Sequence, residues 1–180
     1  VAGADRLRVG GELAVRDISA TLRSLAMAED DLSLASALRS PLFGWSEEEL
    51  YRLASGRPQR ATLWEALRGS GRAETLAILD DLRGQADFLR PYDLIARLLI
   101  RHDGRRRLIA RLGTEAEDGI DALMTQALAF EQGAVPGLTG FVDWMQTDET
   151  DLKRQMEGRG GSIRVMTVHG SKGLEAPIVI

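Results

Sequence analysis

A chain of 180 residues, 44% hydrophobic and 28% charged, can enclose one core and has neither the polarity of a disordered segment nor the repeat of a fibrous one. Its net charge of -4 and pI near 5.3 weigh against a free-standing nucleic-acid binder, though not against a contact surface on a larger machine. There is no cysteine for disulfides or thiolate metal sites, no apolar run of membrane-spanning length and no signal-peptide pattern, so a cytoplasmic setting without membrane contact is expected.

The first candidate helix runs from Glu12 to Met27, with Val15, Ile18, Leu22 and Leu25 recurring at helical spacing. Glu29-Asp30-Asp31 opens a second, suited to the positive end of a helix dipole, which passes Leu34, Ala35 and Leu38 and stops at Ser40-Pro41. Three capping-box patterns follow: Ser46-x-x-Glu49, Thr62-x-x-Glu65 and Thr114-x-x-Glu117, each ahead of an apolar stripe. Between the last two, helices are expected over Arg72–Leu89, Tyr92–His102 and Arg105–Leu112, and a final one over Leu138–Gln146. Gly158-Arg159-Gly160-Gly161 then breaks the pattern. Ile163–Val168 alternates and is β-branched, as a strand requires, and Pro177–Ile180 begins another. Val1 is not an initiator Met and the last residues stop within a strand-like run, so the sequence reads as part of a longer protein.

The tryptophans Trp45, Trp64 and Trp144 sit in helical apolar patterns and are expected in the core or at domain contacts. His102 is expected at a solvated helix end. Arg101-His102-Asp103-Gly104-Arg105-Arg106-Arg107 is the one local basic run. It could meet duplex phosphates or form a solvated face in an Arg-rich protein, and Arg105, Arg106 and Arg107 are the DNA-binding candidates within it.

The stretch Met166-Thr167-Val168-His169-Gly170-Ser171-Lys172-Gly173-Leu174-Glu175 leads from a strand into a loop with two glycines. Such a loop exposes backbone N–H groups to phosphate oxygens; Lys172 adds charge, His169 a ring that can stack, and Glu175 an acceptor for a sugar hydroxyl. An ordinary polar turn would have much the same composition. It is not a nucleotide P-loop, because the order Gly170-Ser171-Lys172-Gly173 lacks the required spacing.

Position by position this stretch resembles motif V of superfamily 1 helicases of the UvrD, PcrA, RecB and AddA group, and the following Ala176-Pro177 is most like AddA. Val1–Leu7, Ala14–Asp17, Glu29–Asp31 and Ser40–Gly44 resemble the start of the AddA insertion domain; Gly56 to Asp151 is matched only in helical character. The resemblance implies a mostly α, multi-helix insertion domain of the 2B type, with a short β tail belonging to a RecA-like α/β domain, 2A. Residues 1–11 would lead in from 2A, 12–157 would be the helical domain, and 158–180 would return to 2A. It implies that Thr167, His169 and Gly170 lie at single-stranded DNA and that Lys172, Gly173 and Glu175 lie at the nucleotide. The parent would be an ATP-dependent DNA helicase of double-strand-break repair and recombination, using ATP and Mg2+. Its partners would be DNA and an AddB-type subunit. A nuclease domain elsewhere in the parent is compatible with the resemblance. With no Walker A sequence or acidic metal box in these residues, the segment by itself is expected to be inactive and to hold no cofactor. The rival expectation is a non-enzymatic helical interaction domain.

Overall fold

The computed structural model describes residues 6–8, 13–133, 137–147 and 151–153. The expected break at Gly158–Gly161, the expected strands and the whole motif stretch fall outside these residues.

Helix α1 (Leu13–Ala26) is the central element. Val15, Ile18, Leu22 and Leu25, the stripe read from the spacing, are all buried. The opposite side is buried too, and it is built of Ala20, Thr21 and Ser24, small enough for a neighbour to approach closely. Their hydroxyls turn back on the helix: Thr21 donates to the Asp17 carbonyl at 3.0 Å and Ser24 to the Thr21 carbonyl at 2.7 Å. Helix α2 (Asp31–Arg39) packs along α1, and its first turn is capped by Asp30, which accepts from the Ser33 N–H at 2.9 Å.

Both early capping boxes form. Ser46 starts α3 (Glu47–Ser55), with the hydroxyl accepting from Glu49 N–H and the Glu49 carboxylate accepting from Ser46 N–H. Thr62 and Glu65 do the same for α4 (Leu63–Arg68). The third pattern does not form. Thr114 and Glu115 lie in a turn, α8 (Ala116–Gly133) begins beyond them, and Glu117 N–H bonds to the Thr114 carbonyl rather than to its hydroxyl. The Glu117 carboxylate lies 4.0 Å from Arg105 of α7 (Gly104–Leu112).

Helix α5 (Ala73–Gln85) is shorter than the expected span to Leu89, whose N–H closes a turn onto Gln85. Helix α6 starts at Pro91, where a missing N–H costs nothing, and ends at Ala96. The expected continuous helix to His102 instead widens into a π turn over Arg97–Arg101, with His102 N–H reaching back to the Arg97 carbonyl. Asp103 follows in the left-handed region (φ 58°), and α7 (Gly104–Leu112) begins at once. Helix α9 (Leu138–Thr147) packs on α1, with Phe141 stacked on Trp144 and edge-on to Phe130 of α8. Two three-residue strands, β1 (Arg6–Arg8) and β2 (Asp151–Lys153), pair antiparallel with Leu7 opposite Leu152, which brings the two ends of the helical array side by side.

The corner at Gly104 sets a steric test. A Cβ there would lie 2.7 Å from the Leu98 carbonyl oxygen and 3.0 Å from the Leu42 side chain. Gly104→Ala must therefore push apart the π turn and the Ser40–Trp45 loop, and should cost about 1–3 kcal/mol in urea unfolding. Asp17 supplies a second test. Half-buried in α1, its carboxyl is pushed up to about 6 by burial, with Arg16 opposing. The folded state therefore holds that proton more tightly than the unfolded chain, so this contribution to stability is full below about pH 4 and lost as pH rises through about 6. Asp17→Asn should stabilise the chain near neutral pH by of order 1 kcal/mol, after allowance for solvent screening, and change little near pH 4.

Candidate nucleic-acid interface

The basic run occupies the corner where α5, the π turn and α7 meet. Asp81 of α5 organises it. Arg97 grips its carboxylate with two bonds, Nε to Oδ2 at 2.8 Å and Nη2 to Oδ1 at 2.6 Å. His102 Nε2 reaches the same Oδ2 at 2.6 Å, and Arg101 stands 3.8 Å away. Arg97 and His102 are five residues apart, and the wide turn is what lets both converge on one acceptor. Arg97 first, and then His102, hold the Asp81 carboxyl well below the usual carboxylate range. His102 is thus not a solvated helix end. Its side chain is only 13% exposed, because a carboxylate distant in sequence draws it inward.

The three candidate arginines splay from α7 in different directions. Arg105 turns to α8 and donates to Asp121 at 2.8 Å. Arg106 turns back to Asp103, one turn earlier, and that bond lowers the Asp103 carboxyl. Arg107 turns toward α5 and the Ser40–Trp45 loop, donating to Glu74 at 3.0 Å and to the Leu42 carbonyl at 2.9 Å. Each candidate therefore has a carboxylate partner within the chain. The arginines are plain in the sequence, but nothing there points to Glu74, Asp81 or Asp121; only Asp103, three residues before Arg106, is readable from spacing.

Beside Arg107 lies a surface groove of about 280 Å³, walled by Trp45, Glu49, Arg72, Glu74 and Thr75. Trp45 is anchored here by a buried bond from Nε1 to Thr75 Oγ1 at 3.0 Å, with the Arg72 guanidinium 4.7 Å above its ring. Trp64 is buried with Arg83 over its ring at 4.0 Å, and Trp144 packs against the core. All three tryptophans thus serve packing. A second, more apolar groove of about 410 Å³ runs past Leu25, Ala26, Phe88, Leu89 and Leu138. Among the described residues no cluster of three or more His, Cys, Asp or Glu side chains could hold a metal, and no helix is long and apolar enough to cross a membrane. Thr167, His169, Gly170, Lys172, Gly173 and Glu175 lie outside the described residues.

Asp81→Asn keeps the shape of the side chain but removes the charge that Arg97 and His102 share. It should cost about 2 kcal/mol near neutral pH. Because the folded carboxyl is depressed, its contribution is present above about pH 4 and fades as pH falls further, so the gap between wild type and variant should narrow in acid.

No family profile matches the chain. Curated relatives do, among them several A subunits of ATP-dependent helicase/nucleases. The chain is 30% identical over 173 residues to the one from Lactobacillus helveticus, an alignment covering 88% of this chain and 14% of that protein. The relative from Heliobacterium modesticaldum is 30% identical over 176 residues, 83% of this chain and 12% of that protein. That of Geobacillus kaustophilus is 28% identical over 193 residues, 94% of this chain and 16% of that protein. The chain thus spans about one-seventh of the length of the relatives it matches. The likeness covers most of the sequence, recurs in several relatives of one name, and is consistent with the AddA/UvrD-like helicase family.

Proposed function

We propose that this chain is the helical 2B-type insertion of an ATP-driven DNA helicase, together with the strand that returns to the second motor domain, and that the parent protein acts in double-strand-break repair and recombination. The observation that carries this reading is the similarity to helicase/nuclease A subunits along 83–94% of the chain. The helical array and the pairing of its two ends through β1 and β2 fit an inserted domain, which leaves and rejoins its host at neighbouring points. In this reading residues 1–11 lead in from the motor domain, 12–157 form the insertion, and 158–180 return.

The coupling of DNA to nucleotide is assigned to Met166–Glu175. Thr167, His169 and Gly170 face the DNA strand. Lys172, Gly173 and Glu175 face ATP, whose phosphates and Mg2+ are held mainly by parts of the parent beyond these residues. One short loop would then sense both ligands, so that closure on the nucleotide shifts the grip on the track. Arg105, Arg106 and Arg107 are an auxiliary phosphate contact, and a nuclease domain with an AddB-type subunit would complete the parent assembly.

Two outcomes are expected. The 180-residue chain should show no DNA-stimulated ATP turnover above a heat-inactivated control, since no phosphate cradle of the Walker A type is present in it. In the full-length parent, His169→Ala should raise the DNA concentration for half-maximal ATPase. Glu175→Ala should instead raise the ATP concentration, by about tenfold or more if a hydrogen bond to a charged group is lost. A carboxylate suits a ribose hydroxyl and is repelled by DNA phosphates, whereas an imidazole can stack on a base or bond to it. Titrations of DNA at saturating ATP and of ATP at saturating DNA separate the two. If neither midpoint moves and the maximal rate holds, the assignment of this loop fails.

A further inference from the structure

The carboxylates around α7 outnumber the arginines they meet. Arg105, Arg106 and Arg107 face Glu74, Asp103, Glu117 and Asp121, which reach them from α5, from the residue that precedes α7, and from α8. In the Arg105–Asp121 and Arg107–Glu74 pairs the acid is the more exposed partner. Glu74 is 80% exposed and Asp121 64%, while the side chains of Arg105 and Arg107 are only 36% and 30% exposed.

For a DNA phosphate this arrangement has two effects. An arginine already paired with a carboxylate has little free charge to offer, so it displaces few of the cations condensed on the duplex. The carboxylate beside it also repels the incoming phosphate. Exposed pairs of this kind are weak, however, and open readily. Arg107 would keep its place when its pair opens, because its second nitrogen stays bonded to the Leu42 carbonyl.

We propose that Glu74, Asp103 and Asp121 are built-in counter-ions that mask Arg105, Arg106 and Arg107, spread around α7, from duplex DNA, so that this corner takes up phosphates only where those carboxylates are displaced. The proposal rests on the reading of the parent as a DNA-acting protein. It accounts for a basic run within an acidic chain: the arginines serve as bolts to α5, α8 and the Ser40–Trp45 loop in one state and as phosphate ligands in the other.

The test neutralises the mask. Glu74→Gln, Asp103→Asn and Asp121→Asn are combined in the 180-residue chain. The first and last are exposed, and Asn tolerates the left-handed backbone at position 103. Binding to a labelled duplex is followed by fluorescence anisotropy over a range of salt. The variant should bind more tightly at low salt, and its plot of log affinity against log salt should steepen by about one unit per arginine freed. Adding Arg105→Gln, Arg106→Gln and Arg107→Gln should abolish the gain. Neutralising three exposed acids away from this corner, with Glu29→Gln, Asp87→Asn and Asp93→Asn, raises the net charge equally; a gain of the same size there reflects net charge alone and overturns the mask. If the arginine changes flatten the wild-type slope but the acid changes do not steepen it, the face contacts DNA and the mask is wrong. If neither set moves binding, this face is not a DNA contact, and the mask falls with it. The helicase reading is tested separately by the His169 and Glu175 titrations.

Discussion

Helices shorter than about fifteen residues are marginal by themselves in water, and every described α-helix except α8 is shorter than that. Each therefore depends on two things supplied from outside: a shared apolar core and partners for the polar groups at its ends. Helix α1 provides the first by being buried on two faces at once. Side chains from elsewhere in the chain provide much of the second. Asp31 of α2 accepts from the Leu63 N–H at the start of α4 and pairs with Arg57 in the preceding loop. Glu131 of α8 accepts from the Tyr92 N–H in the first turn of α6. A helix end is thus often tied to a neighbouring helix.

Arginine is the main instrument of these ties. All but two of the 23 basic residues are Arg, the lysines being Lys153 and Lys172. The guanidinium fork can hold a carboxylate with one nitrogen and a carbonyl with another. Arg39 does so with Glu47 and the Trp45 carbonyl, and Arg107 with Glu74 and the Leu42 carbonyl; Arg83 lies on Trp64 while bonding the Ser24 carbonyl. Two of these forks and the Arg72–Trp45 stack converge on the Ser40–Trp45 loop, where Gly44 takes a positive φ and the chain turns too sharply for regular structure to satisfy its carbonyls. Lysine, with one point charge on a flexible stem, could not make the double attachments.

Elements whose signals are local are legible in the sequence. The stripe of α1, the stop at Ser40-Pro41 and the boxes at Ser46 and Thr62 each depend on residues within four positions of one another, and the structure has all of them. The pattern at Thr114 misleads because the helix begins only at Ala116, so Thr114 does not sit at its N-cap. The inward His102 is illegible because its partner Asp81 lies 21 residues before it, and the π turn sets Arg97 and His102 together on that one carboxylate. At the arginine face the cations are visible in the sequence and most of the anions are not, which is the difference between a basic patch and a balanced one. The motif stretch is legible only by resemblance, since a run of two glycines, a lysine and polar side chains has many uses.

The wide turn at Arg97–Arg101 also bears on ancestry. A π turn is an α turn lengthened by one residue, so the segment between Pro91 and Gly104 carries a surplus of one. Ile100, 79% exposed, contributes little to the core and is the member most easily spared. In a lineage without the Asp81 grip, the expected footprint is a single-residue gap at this point in an alignment, with the arginine helix unchanged on its far side. The turn thereby becomes a heritable length marker, one that can sort relatives by whether they carry this corner even where identity has fallen too low to compare side chains.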